Sequence, residues 1–564
     1  MKHALLLLSI LLLPLVLAQS GNITLLTVAD TKDGGLMGGT AELYLDIKPG
    51  TGTIFIDSYP LTKLDTQIST RFANQVACDI IQEDCTAYDF FYTIRANSPI
   101  VGGPSAGAAT ALLTIAVLKH LELNRSMVMT GTINSGGLVG PVAGIPEKVA
   151  AAHASGFSEV LIPRWSADCN CTGIRNISTL QEAVHIATGY VFPEPEPLHV
   201  PQTYTKVMRA IAGQLCARAS DLGNISSSML LSHYLGQTLF KMSDAQELYL
   251  KGLHAWEESK YYSAASYCFG ANQKAREEEY AQLPAGTLED IRNNLTATVQ
   301  AFTMNISTAS IHTISDLQAY IIVKERLLET EDYLEAKQRF PLKDAARLAR
   351  AQERFFSAQQ WSAFFTTGKT SYELNEPYLR QACIKKLAEA EERMQYAAFY
   401  FPSFQQNTLD EARRQYAKND YALCIFQASK TKAETELLIT NLFMNQNDTR
   451  TLLQETLSLA DNVIAREQAT STFPVLGYSY AEYAKSLQYD DPWSALLYAN
   501  YALELSNLDS YFPKQPSQHF NKDTFLVFVE GMLVGALLVC IVLLLLRKNP
   551  ERFPPKREPS REKR

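Results

Sequence analysis

Two short segments of this chain hold residue types that could do chemistry together. Ser105 lies in Gly102-Gly103-Pro104-Ser105-Ala106-Gly107, a glycine- and proline-rich turn running straight into an apolar helical stretch, Ala106 to Leu121. Lys148 ends Gly144-Ile145-Pro146-Glu147-Lys148 and opens a second helical stretch through Val149, Ala152 and Ala154. A serine hydroxyl is a poor nucleophile until a neighbouring base takes its proton, and a neutral lysine can be that base. The pair reads as a Ser–Lys peptidase dyad, with Ser105 as nucleophile and Lys148 as general base.

The surroundings suit those roles. A Gly-Pro turn lets backbone approach a substrate closely, and a helix beginning at Ala106 aims free N–H groups at a developing oxyanion, so Gly103, Pro104 and Ala106 form the oxyanion and turn positions. Lysine ordinarily titrates near 10.4, so a base working at pH 7 needs a drop of about 3 units, or about 4 kcal/mol, which burial can supply. Val142, Ile145, Val149 and Ala150 to Ala152 would make that site dry. The plainer alternatives are a serine capping an ordinary helix and a solvated lysine in a first helical turn, where the helix dipole disfavours a cation.

From Ser105 to Pro163 the chain resembles the proteolytic domain of the Lon protease family. The resemblance rests on Pro104-Ser105-Ala106-Gly107, Met129-Thr130-Gly131, Val139 through Lys148, Ala151 through Gly156 and the strand Glu159 to Pro163. Looser similarity reaches back to about Thr24. The resemblance implies a compact α/β protease fold, Ser105 and Lys148 as the dyad, and Thr130 as a supporting hydroxyl that helps hold the lysine. It also implies assembly into a homo-oligomeric ring and, beside the glycosylation sequons noted below, an archaeal cell surface. Two positions depart from the family pattern: Gly102 stands where many members carry an acid two before the proline, and Thr132 where a glutamate often follows Thr-Gly.

Other chemistries find no support. Gly368-Lys369-Thr370 lacks the earlier glycine of a phosphate loop, because position 363 is alanine, so no ATPase is expected. There is no His-Glu-x-x-His, and neither metal nor cofactor is expected; His153 reads as an ordinary helix histidine. The net charge of −8 includes a basic C-terminal tail, so the rest is more acidic still and would repel nucleic acid.

The elements that must position the dyad lie in a mixed α/β (α+β) region, 22–190. Strands are expected at Thr40–Ile47, Thr53–Ser58, Phe90–Ile94, Val128–Ile133 and Glu159–Ile162, and helices near Gln67–Ile81, Ala106–Leu121, Glu147–Ala154 and Leu180–Ala187. Residues 191–203, with prolines at 193, 195, 197 and 201, read as a stiff linker. Residues 204–520 read as an all-helical array of about eight to twelve helices, rich in Ala, Leu, Glu and Lys. Lys260–Tyr267, Asn419–Phe426 and Asp491–Tyr498 look like second helices of tetratricopeptide-like hairpins without a fixed period. Tyrosines near Tyr396 could line a peptide groove, though core packing is the simpler use.

Targeting signals frame these regions. Residues 1–18 read as a signal peptide and 524–546 as one transmembrane helix followed by a basic cytoplasmic tail, 547–564. That places the catalytic region outside a cell membrane crossed once. Sequons at Asn22, Asn124, Asn170, Asn176, Asn224, Asn294, Asn305 and Asn447 all fall on the outer side. So do eight of the nine cysteines, an even number that permits disulfides. Connectivity stays open: Cys169 and Cys171 look too close to pair comfortably with each other, so one could reach Cys78 or Cys85, and free buried thiols are the alternative. The combined expectation is a membrane-anchored, ATP-independent serine endopeptidase acting on exposed or unfolded polypeptides. The alternative is a cell-surface helical scaffold whose protease domain is weak or inactive.

Overall fold

The computed structural model describes residues 19–30, 35–166, 169–194, 197–223, 242–307, 311, 313–335, 342–365, 375–401, 409–444, 448–469, 473–508, 511 and 522–548. The signal segment, Gly368-Lys369-Thr370, Asn224, Asn447 and residues 549–564 of the tail lie outside them. Residues up to Pro513 form one compact unit, and those from Lys514 another.

The N-terminal part is built on a seven-stranded mixed sheet. Its strands and helices run β1 (Gln19–Asp30), β2 (Leu36–Pro49), β3 (Ile54–Thr62), α1 (Leu64–Ile81), β4 (Tyr88–Val101), α2 (Gly107–Leu118) and β5 (Met127–Met129). They continue through β6 (Thr132–Ile133), β7 (Val139–Gly140), α3 (Ile145–Ala154), β8 (Glu159–Pro163), β9 (Ile174–Ile177) and α4 (Leu180–Thr188). The spatial order is β3-β4-β2-β1-β5-β8-β9, while β6 and β7 form a separate two-stranded ribbon. β1–β2 and β2–β4 are antiparallel; β3–β4, β1–β5, β5–β8 and β8–β9 are parallel.

Side chains of a strand alternate between faces, and here they divide two cores. Leu25, Met127, Met129 and Leu161 join the core shared with α1, α2 and α4. Their neighbours Leu26, Val128, Val160 and Ile162 join a smaller core under α3. Every residue of α2 is buried, as expected of a helix apolar on all sides. Its polar side chains are satisfied internally: Thr110 donates to the Ala106 carbonyl at 2.9 Å and Thr114 to that of Thr110 at 2.8 Å.

The expected single strand Val128–Ile133 is instead two, β5 and β6, lying in different sheets. The chain leaves the main sheet at Thr130-Gly131 because those two residues bond elsewhere, as described below. Pairing of Cys169 or Cys171 with Cys78 or Cys85 also fails. Cys169 bonds Cys171, with Cα atoms 5.1 Å apart, and Cys78 bonds Cys85, at 6.1 Å. A bent chain at 169–171 brings the two neighbours within disulfide range, and the sheet separates them from Cys78: they pack on the core under α3, whereas Cys78 and Cys85 belong to the opposite face.

Twelve helices follow among the described residues: α5 (Gln202–Leu222), α6 (Asp244–Glu257), α7 (Tyr261–Tyr280), α8 (Ala285–Ser307), α9 (Ile314–Leu334), α10 (Asp344–Trp361), α11 (Glu376–Tyr400), α12 (Asp410–Ala417), α13 (Tyr421–Phe443), α14 (Thr449–Ala469), α15 (Val475–Leu487) and α16 (Pro492–Ser506). The three expected hairpin helices begin where the sequence placed them, as α7, α13 and α16. The turns before α7 and α13 use Ser259 and Asn419 in the left-handed conformation, and Asp420 and Asp491 cap α13 and α16. Disulfides Cys216–Cys268 and Cys383–Cys424 tie α5 to α7 and α11 to α13.

The C-terminal unit holds one helix, α17 (Lys522–Lys548), of 27 residues. Among the described residues no helix is long and apolar enough to cross a membrane. The expected span, 524–546, falls partly on α17 side chains outside the described ones. Those described include exposed Met532, Leu533, Leu537, Val539, Leu543 and Leu544.

Candidate active site

The nucleophile turn forms because Gly103 takes φ 100° and ψ 151°, a conformation that residues with a Cβ avoid. Pro104 then starts a single 3₁₀ turn, Pro104–Ala106, that feeds α2. Ser105 is half-buried at this entrance. Its carbonyl accepts the Gly131 N–H at 2.9 Å and the Thr130 hydroxyl at 3.3 Å, while the Gly131 carbonyl accepts the Ala108 N–H at 3.0 Å. The Thr130 N–H still reaches the Leu161 carbonyl at 3.1 Å. Thr130-Gly131 is therefore a clasp between the end of β5 and the start of α2.

Lys148 approaches the same clasp from α3. Its Nζ donates to Thr130 Oγ1 at 3.2 Å. The side chain is 3% exposed, and burial alone pushes its ammonium down to about 7. Val142, Ile145, Val149 and Ala152 supply the dry shell; Ala150 is exposed on the outer face of α3. A neutral lysine keeps a lone pair after giving one N–H to Thr130. With the Thr130 proton given to Ser105's carbonyl, one threonine hydroxyl bonds both the Lys148 amine and the Ser105 main chain.

The structure thus brings Ser105, Thr130 and Lys148 together. At the turn, Pro104 is buried and carries no N–H, and the Gly103 N–H donates to Asp65 Oδ2 at 3.0 Å. Gly103 accordingly shapes the turn rather than offering a donor, and Ser105 and Ala106 lie in the 3₁₀ turn at the helix entrance. His153 stays outside the site. Its ring nitrogens face the carbonyls of Phe157 and Thr172, both at 2.9 Å, which raise its pKa and pin the end of α3.

Asp65 escaped the sequence reading, because nothing local in Leu64-Asp65-Thr66 marks a carboxylate that folds onto a turn nearly forty residues away. Among the described residues no group of His, Cys, Asp and Glu is placed to hold a metal ion.

Residues 93–184, which include Ser105, Thr130 and Lys148, match the family model of the Lon protease (S16) C-terminal proteolytic domain. The Lon protease of Methanosphaera stadtmanae is 34% identical over 137 residues, covering 22% of this chain and 16% of that protein. That of Fervidobacterium nodosum is 31% identical over 131 residues with the same coverage, and that of Nitrosococcus oceani 44% over 62 residues, 11% and 8%. The chain carries a Lon-family proteolytic domain. It spans 16% or less of the length of these relatives.

Proposed function

We propose that this chain is a serine endopeptidase that cuts exposed or unfolded polypeptides through Ser105 and Lys148 without nucleotide. The observation carrying this reading is the buried Lys148 amine, held at 3.2 Å by the hydroxyl that also bonds the Ser105 carbonyl. In the reaction Ser105 Oγ attacks the scissile carbonyl as Lys148 takes its proton. The N–H groups at the helix entrance, Ser105 and Ala106, receive the oxyanion. Lys148 returns the proton to the leaving amine, then draws one from water as the hydroxide attacks the acyl group, and hands that proton to Ser105 Oγ as the acyl–oxygen bond breaks.

In the same proposal α17 anchors the chain and the catalytic region lies outside the cell. Support comes from the apolar run 524–546, the exposed apolar side chains of α17, and the sequon asparagines: Asn124, Asn170, Asn176, Asn294 and Asn305 are exposed and Asn22 half-buried.

The test is degradation of unfolded casein by the full-length chain. Cleavage without nucleotide is expected, with Ser105→Ala and Lys148→Ala at least about a thousandfold slower. The rate should climb as pH rises through about 7, where Lys148 becomes neutral. A requirement for ATP contradicts the nucleotide-free reading. Activity surviving in Ser105→Ala contradicts the dyad, and a wild-type serine inert to a serine-reactive probe favours the scaffold alternative.

A further inference from the structure

Three successive residues just beyond the Thr130-Gly131 clasp are each bound by charged side chains of the helical region. Arg393 of α11 donates to the Ile133 carbonyl at 2.5 Å. Glu436 of α13 accepts from Asn134 Nδ2 at 2.7 Å. Glu504 of α16 accepts from Ser135 Oγ at 2.7 Å, and Lys432 of α13 donates to the same hydroxyl at 3.4 Å. Lys432 in turn pairs with Glu504 at 3.0 Å and Glu389 at 3.2 Å.

These charges are sealed from water; Arg393 is 2% exposed. A buried ion cluster adds little stability that apolar packing could not match, because desolvation offsets the Coulombic gain. What ions add is direction. Arg393 shows this most sharply: its Nε lies 3.4 Å from Glu392 and 3.7 Å from Glu436, and among the described residues neither Nε nor Nη1 finds a hydrogen-bond partner. Arg393 instead gives a hydrogen bond to one main-chain carbonyl, two residues after Gly131.

We propose that Arg393, seconded by Glu436, is a positioning residue of the peptidase centre, through which the helical region sets the loop at 132–137 and hence the Thr130-Gly131 clasp on Ser105 and Lys148. The inference rests on the peptidase reading. Released from Arg393, the loop drifts, the clasp loosens, and water reaches the Lys148 amine. Fewer molecules then hold the productive geometry, and the lysine moves back towards its ordinary range.

The test compares full-length wild type, Arg393→Met, Arg393→Lys and Arg218→Met. The last breaks the pair that half-buried Arg218 makes with buried Glu353 elsewhere in the helical region, at 2.6 Å. For casein cleavage by Arg393→Met, kcat should fall roughly 10–100-fold with KM nearly unchanged, and the acid limb of the pH profile should move up by about one unit. Arg393→Lys, which keeps a donor, should recover part of both. Arg218→Met should leave the acid limb in place. Hydrogen exchange should quicken at 130–137 in Arg393→Met and not in Arg218→Met. Should Arg393→Met fail to fold, Asn134→Ala, which frees the loop from Glu436, is expected to show a smaller shift of the same sign. An unmoved acid limb with unchanged exchange overturns the proposal, and so does an equal shift in Arg218→Met. Wild type that leaves casein intact sinks the peptidase reading instead, and exchange at 130–137 still decides whether Arg393 holds the loop.

Discussion

A lysine sealed among Val142, Ile145 and Val149 has a thermodynamic consequence that needs no substrate. Its folded pKa, about 7, lies below the unfolded value. The unfolded chain therefore binds more protons between pH 7 and about 10.4, and stability must rise with pH across that window. Below pH 7 the buried charge is fully present in the folded state, at a penalty of several kcal/mol. Lys148→Met should thus be inactive yet more stable, with its melting temperature furthest above wild type below pH 7 and converging with it near pH 10. A melting temperature equal to wild type at every pH would mean that the amine is not desolvated. Ser105, Thr130 and Lys148 could be read from the chain because each sits in a short contiguous motif whose neighbours enforce its setting. Asp65 could not, since its role exists only across the α1–turn contact.

At the level of elements, the dyad depends on how closely β2 passes α3. A Cβ on Gly38 of β2 would lie 2.0 Å from the Glu147 carbonyl, in the helical turn that carries Lys148. Gly38→Ala must push that turn away. Overpacking of this kind typically destabilises by about 1–3 kcal/mol, and displacing the base should lower kcat more than it alters KM. Steady-state kinetics beside a thermal melt checks this; unchanged kcat would show that α3 can yield without moving its lysine. Short β-rich runs marked β2, β3, β4 and β8, and apolar spacing the helices of the N-terminal region, while β1, β7 and β9 went unread. What the run from Val128 to Ile133 could not show was how it breaks: Val128, Thr130, Thr132 and Ile133 favour strand, Gly131 interrupts them, and the bonds with Ser105 and Ala108 turn the chain out of the sheet.

For the whole molecule, the proposed anchor is separable from the catalytic unit. Deleting residues 522–564 should move the chain from a carbonate-washed membrane fraction to the soluble one while casein cleavage persists. Retention of the truncated chain in the membrane fraction would remove α17 from the anchoring account. The cysteines teach a related lesson at this scale. Their even number was visible in the sequence, but pairing depended on which face of the sheet each occupies, so Cys78 joined Cys85 and Cys169 joined Cys171.

By itself the chain pointed to the residues of the proposed centre and to the kind of most elements, because turn residues, apolar spacing and a lysine among aliphatic neighbours act over a few residues; β1, β7 and β9 escaped it. Only the tertiary structure decided that α11, α13 and α16 close upon the loop behind the serine. Arg393 and Ile133 are 260 residues apart, and no local periodicity records which buried charge will meet which carbonyl. That meeting is fixed by packing, where a desolvated guanidinium must find an acceptor.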